Sequence, residues 1–169
     1  DSKFLFENNY DHLERLASYE KIHNNNLEEY QDLKATFKEI FDTKLKQHIT
    51  TACHNDAQVA NFIEEVGGRI FLLDWEFAGN NDHIYDIASF GNKDFNRALS
   101  LLNVYHPNPS NDLYARLYAC RMFQCLQWFN VASYKEETGM SQKLGVDFKV
   151  VAANYLRLAK SMHEDYLEY

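Results

Sequence analysis

The stretch His54-Asn55-Asp56-Ala57-Gln58-Val59-Ala60-Asn61-Phe62-Ile63-Glu64-Glu65-Val66-Gly67-Gly68-Arg69-Ile70-Phe71-Leu72-Leu73-Asp74 decides how the chain is read. Two short apolar-rich runs, 62–66 and 69–73, flank Gly67-Gly68. Such a pair supplies the positive φ that both central residues of a two-residue hairpin turn need. That turn pairs 66 with 69 and 62 with 73, so Asn61 is expected to face Asp74, with Cβ atoms roughly 4.5–5.5 Å apart. A carboxamide and a carboxylate then converge at the open end of the hairpin, with Asp56 just upstream in the loop. Oxygen donors so placed suit magnesium, which takes few protein ligands and completes its octahedron with water and phosphate oxygens. The stretch reads as a phosphoryl-transfer site.

Working outward, Tyr10, Leu13, Leu16 and Ala17 form one stripe, which predicts a helix over 8–23. Leu27, Tyr30, Leu33, Phe37, Ile40, Phe41 and Leu45 predict a longer amphipathic helix over 26–47. Ile49 to Cys53 is a short strand-like run leading into the site, and Phe77–Asn81 reads as a loop. Asp82 is a fair N-cap for a helix through Phe90, and Asn92 or Asp94 caps another to Val104. His106-Pro107-Asn108-Pro109 breaks the chain before Ser110, which caps a helix to Glu136. A loop at Gly139–Gly145 and a helix over Val146–Leu167 finish it. The expectation is an α+β, mostly helical chain with one small functional β-hairpin.

At 169 residues the chain is one domain by length, 1–169, able to bury roughly two-thirds of its unfolded surface. Seventeen basic against twenty-five acidic residues give a net charge of −8, which argues against a nucleic-acid partner and is compatible with a small cationic substrate. No apolar run approaches the roughly eighteen residues of a membrane helix, and no secretory pattern opens the chain, so no membrane partner is expected. Cys53, Cys120 and Cys125 form no C-x-x-C and are odd in number, fitting reduced thiols in the cytoplasm. The seven histidines contain no H-E-x-x-H zinc motif.

The spacing His54, Asp56, Asn61 matches H-x-D-x-x-x-x-N, the catalytic-loop pattern of protein kinases, with Asp74 in the place of the later magnesium-binding Asp. Asp74 is followed by Trp75-Glu76-Phe77-Ala78-Gly79, and then by Asp82-His83-Ile84-Tyr85-Asp86-Ile87-Ala88. H-N-D, D-W-E-F-A-G and D-x-x-x-D-[IL]-A together resemble the choline/ethanolamine kinase family, aminoglycoside phosphotransferase-like enzymes with a protein-kinase-like fold; its bacterial branch is the most similar. The specific resemblance covers about residues 53–91.

The resemblance implies ATP-dependent phosphorylation of a small amino-alcohol, choline or ethanolamine. In it Asp56 is the catalytic base, His54 holds the loop, Asn61 and Asp74 bind magnesium, and Asp86 supports the loop backbone. Glu76, two residues beyond Asp74, would share its face in an extended backbone and reach the substrate or a second metal. Trp75, Tyr85, Trp128 and Tyr134 are candidates for the π faces that hold a cationic substrate. The paired late-helix tryptophans of choline kinases fall near Gln124 and Gln127 here, with Trp128 one residue later. The six glycines include no phosphate-cradling loop before Asp56, and no V-A-I-K-like strand is present. The chain is therefore expected to be the C-terminal lobe of a kinase whose N-terminal, nucleotide-covering lobe is absent, and to be inactive alone. An aminoglycoside or other sugar phosphotransferase is the enzymatic alternative, and a pseudokinase-like binding module the non-enzymatic one.

Overall fold

The structure, a computed structural model, describes residues 5–22 and 27–169. Helices α1 (His12–Ile22) and α2 (Glu28–Ile40) come first, and α2 continues through a π-helical turn, Phe41–Leu45, and a 3-10 turn, Lys46–His48. Strand β1 (Thr51–Cys53) leads to a 3-10 turn at Val59–Asn61, then β2 (Phe62–Glu64), β3 (Ile70–Leu72), a second 3-10 turn at Trp75–Phe77, and β4 (Gly79–Asn81). Five helices follow: α3 (Ile84–Phe90), α4 (Phe95–Tyr105), α5 (Asn111–Glu137), α6 (Met140–Leu144) and α7 (Phe148–Tyr166). No helix among the described residues is long and apolar enough to cross a membrane.

Helix α5 is buried on most of its circumference, from Ala115 to Ala132, as expected of a helix enclosed by others. Helices α1, α2, α3 and α7 pack around it. Its neighbours are amphipathic: α2 turns Tyr30, Leu33, Phe37 and Ile40 inward, and α7 turns Ala152, Leu156, Ala159 and Met162 inward. Phe37 and Phe123 meet with ring centroids 5.0 Å apart, and Tyr30 stacks on Phe129 at 5.1 Å. Ser110, Asp94 and Asp147 cap α5, α4 and α7 by accepting from Leu113 N, Asn96 N and Val150 N.

The structure corrects the sequence reading in several places. The hairpin pairs Phe62 with Leu72, Ile63 with Phe71 and Glu64 with Ile70, one residue off the expected register. Only Gly68 takes positive φ, at 79°. Gly68 N donates to Glu65 O, so the connection is a three-residue loop, Val66–Gly68, closed by a left-handed glycine. Asn61 consequently faces Leu73, whose N–H donates to Asn61 O at 2.9 Å, and Asp74 lies one residue beyond the pairing.

The expected loop at 77–81 contains β4, antiparallel to β1 with Cys53 opposite Gly79. Gly-Asn-Asn has little strand propensity. Asn80 offsets that by bonding the 6–10 segment: its Oδ1 accepts from Phe6 N at 2.8 Å and its O from Tyr10 N at 2.8 Å. The expected loop at 139–145 contains α6, set between left-handed Gly139 and Gly145. Helix α1 begins at His12, later than expected, because residues 6–10 are engaged by β4. The expected ends at 23 and 26 lie outside the described residues.

Gly91 ends α3 where α4 crosses it closely, and a Cβ there would stand 2.6 Å from Ala98 Cβ. Gly91→Ala should destabilise the chain by about 1–3 kcal/mol. In urea denaturation the Gly91→Ala/Ala98→Gly double variant should lose less than the sum of the two single losses, because the methyl collision is gone.

Candidate functional site

The loop between β1 and the hairpin carries the site, and its shape is imposed from outside. Asn55 sits at φ 64°, a left-handed conformation that asparagine tolerates better than most residues. Asp86, on the first turn of α3, accepts from His54 N with Oδ2 and from Asn55 N with Oδ1, both at 2.8 Å. Burial pushes the Asp86 carboxyl above the usual carboxylate range, against the pull of those two N–H donors. The Asn55 side chain donates to Phe77 O at 3.0 Å and Gly79 O at 3.2 Å, and accepts from Asn81 Nδ2 at 2.8 Å. It thereby pins the loop to β4.

His54 is buried, with Nε2 2.7 Å from Leu73 O and Nδ1 3.2 Å from Asp56 N. A carbonyl only accepts and an amide N–H only donates, so the ring carries its proton on Nε2 and accepts at Nδ1. One imidazole thus ties the end of β3 to Asp56.

Asp56 is half-buried. Its Oδ2 accepts from Asn61 Nδ2 at 2.9 Å and Gln58 Nε2 at 3.1 Å, while Oδ1 has no partner among the described residues. Burial raises its carboxyl above the ordinary range, the two carboxamides oppose that, and the Asp74 charge reinforces it. Asn61 Nδ2 also donates to Asp56 O at 2.8 Å, which turns Asn61 Oδ1 away from Asp56. Asp74 is exposed, takes φ 66° and has no hydrogen-bond or ion-pair partner among the described residues. Asn61 Oδ1 and the Asp74 carboxylate are free oxygen donors of the kind magnesium accepts. Two such donors would suit only a heavily hydrated metal, and no group of three or more His, Cys, Asp or Glu side chains that could hold one occurs among the described residues.

Beside Asp56 lies a cavity of about 220 Å³. Of the sequence candidates it gathers Asp56, Tyr85 and Trp128, with Gln124 and Gln127 on the same wall. Trp75, Glu76 and Tyr134 do not line it. Trp75 is exposed, donates Nε1–H to Leu72 O at 2.8 Å and sets an edge against the His54 ring. Residues 75–77 form a helical turn instead of an extended strand, because left-handed Asp74 turns the chain. Glu76 therefore leaves the face of Asp74 and lines, with Asn9, Glu14 and Ser18, a groove that meets the Asp56 cavity at Arg15 and Phe77. Asp82 does more than cap α3: it accepts from Ile84 N at 3.1 Å, and Arg116 Nε lies 3.0 Å from its Oδ2, off the hydrogen-bonding line. Burial raises the Asp82 carboxyl and the Arg116 charge opposes the rise.

Sequence reasoning missed Arg15, Tyr19, Phe77, Asn92 and Lys135 on the cavity wall. Gln58, two residues after Asp56, was within reach of a local reading. Arg15 and Lys135 come from α1 and α5, and no local pattern links them.

The family model described as choline/ethanolamine kinase matches residues 2–96. Protein LicA of Haemophilus influenzae strain Rd is 29% identical over 155 residues, covering 82% of this chain and 57% of its own. The chain thus spans little more than half the length of that curated relative. Among solved structures, LicA in complex with AMP superposes with a TM-score of 0.73 at 22% identity, over 98% of this chain and 57% of that one. A choline/ethanolamine kinase family protein from Mesorhizobium loti gives 0.72 at 18% identity, over 97% and 58%. These likenesses establish the fold: the C-terminal lobe of a protein-kinase-like architecture.

If Asp86 anchors the loop, Asp86→Asn should destabilise the chain by about 1–3 kcal/mol, since a carboxamide satisfies one N–H and opposes the other. Hydrogen exchange at the His54 and Asn55 amides should accelerate beyond the global change. Unchanged protection at both would remove Asp86 from this role.

Proposed function

The chain belongs to the choline/ethanolamine kinase family, and from that premise we propose that it supplies the catalytic lobe of an ATP-dependent kinase. The acceptor is the hydroxyl of a small amino-alcohol, the class that contains choline and ethanolamine. The observation that carries this reading is the state of Asp56: one oxygen held by two carboxamides, the other free beside a cavity, and a second carboxylate near enough for its charge to be felt. Asp56 Oδ1 orients the acceptor hydroxyl and takes its proton as the phosphoryl group transfers in line. Gln58 and Asn61 keep the carboxylate from rotating, and His54 fixes the backbone beneath it. Asn61 Oδ1 and Asp74 would hold magnesium, which would supply charge neutralisation on the phosphate oxygens.

The nucleotide-covering lobe lies outside these 169 residues, which hold no glycine-rich phosphate loop. Ile63, Ile70, Phe71 and Leu73 on the hairpin are exposed, Ile70 to 67%, and they support a surface on which that lobe rests. An aminoglycoside acceptor fits poorly. The cavity is below the roughly 300–1,000 Å³ of pockets for drug-sized ligands, and Asp56 is the only carboxylate on its wall among the described residues. Three free cysteines, all buried, support a reducing compartment such as the cytoplasm.

In the full-length protein, Asp56→Asn should lower kcat by about 10²–10⁴-fold with little change in the KM for ATP. Asp74→Ala should raise the KM for magnesium-ATP as well. Because the Asp56 carboxyl titrates above the ordinary range, activity should be lost on acidification at a higher pH than an ordinary aspartate gives, as the base becomes protonated. Near-normal kcat in both variants would end the kinase reading. The 169-residue chain alone should not turn over ATP, and robust phosphotransfer by it would refute the assignment of a missing lobe.

A further inference from the structure

Arg121 is 1% exposed in the middle of α5, and among the described residues its guanidinium has no carboxylate partner. Its Nη2 donates to Asn92 O at 2.7 Å, its Nη1 to Asn92 Oδ1 at 3.0 Å and Gln124 Oε1 at 3.4 Å, and its Nε has no partner. Buried charges are as a rule paired, because desolvation is otherwise uncompensated. The two residues that accept hydrogen bonds from Arg121, Asn92 and Gln124, both line the cavity beside Asp56.

Two more cations stand on the cavity wall itself. The Arg15 guanidinium lies 4.1 Å from the Phe77 ring centroid and 5.2 Å from that of Tyr19, and its Nε is buried without a partner. Lys135 lies over the Phe148 ring at 5.2 Å. Neither is paired with a carboxylate among the described residues. Two cations therefore line, and a third stands behind, a cavity whose only carboxylate among the described residues is Asp56, already committed to the reacting hydroxyl. A quaternary ammonium needs aromatic faces and carboxylates. Here Arg15 already occupies the Phe77 face.

Building on the reading of this cavity as the acceptor site of a kinase, we propose that the acceptor is an amino-alcohol that also carries an acidic group. The acid is held by Arg15 and Lys135, with Arg121 adding positive potential from behind. The hydroxyl meets Asp56, and Trp128 offers its face to the amine. Choline and ethanolamine lack the group that would neutralise this wall.

The test compares probes differing by one group, binding to the full-length protein by calorimetry: serine, ethanolamine, choline and glycerate. Serine should bind at least about tenfold tighter than ethanolamine, as a charge-assisted contact in a confined site gives. Glycerate should bind and choline should not. Arg15→Met and Lys135→Met should each weaken serine by about tenfold while leaving ethanolamine unchanged or improved. Lys135→Met removes a partly exposed side chain, so it remains informative if the Arg15 variant folds poorly. Tighter binding of choline or ethanolamine than of serine, no binding of either acidic probe, or indifference of serine to Lys135→Met would each overturn the inference. Phosphotransfer is scored separately. If no alcohol is phosphorylated, the kinase reading fails whatever binds; if ethanolamine is phosphorylated while serine is unbound or bound without reaction, the kinase reading stands and this inference fails.

Discussion

Two hydrogen bonds from one carboxylate organise this molecule's functional end. The loop after β1 places Asn55 in a left-handed conformation and presents Asp56 to a cavity, and its own hydrogen bonds leave the His54 and Asn55 N–H groups to be met from outside. Asp86 meets them from the adjoining helix, taking the N–H groups of two consecutive residues. Hydrogen bonds to a charged group are worth about 1.5–3 kcal/mol each, enough to offset a strained residue. With the loop fixed, the Asn55 side chain reaches three backbone carbonyls and Asn81, and β4 is held against β1. His54 then joins the hairpin to the same frame through Leu73 O.

The charges are divided by side. Toward the hairpin lie Asp56 and the exposed Asp74, two acids on or next to left-handed backbone, whose mutual repulsion a divalent cation would relieve. Toward the helices lie Arg15, Lys135 and Arg121, unpaired by any acid among the described residues. Under the proposed function, the first side is the one a phosphoryl donor and its metal would meet, and the second the one an acceptor would meet. The loop's two carboxamide tethers, Gln58 and Asn61, stand between the two and hold Asp56 without adding charge.

Much of this was legible from residues alone, because the signals were local and strong. The stripes on α1 and α2, the caps at Ser110 and Asp94, and the spacing of His54, Asp56, Asn61 and Asp74 each depend on neighbours in sequence. The hairpin's existence was legible, but its register was not: Gly-Gly satisfies a two-residue turn equally well, and the choice fell to a single left-handed residue, Gly68. Strand β4 was hidden because asparagine side chains, not strand propensity, hold it. Glu76 was misplaced because the left-handed Asp74 could not be foreseen from an extended reading. The far wall of the cavity was the least accessible, since Arg15 and Lys135 are brought together by the packing of α1 on α5, a property of the whole core.

The clasp between Asn80 and the 6–10 segment has a bearing on synthesis. Phe6 finds its partner 74 positions later in the chain. At about 5–20 residues per second, that interval is roughly 4 to 15 seconds. Throughout it, the segment that will border β4 lacks Asn80, and Gly79 is not yet there to let it approach. The β1–β4 pair is likewise closed by residues made well after the loop it braces. On the ribosome, then, the region around Asp56 must wait for its frame and is assembled from the outside inward.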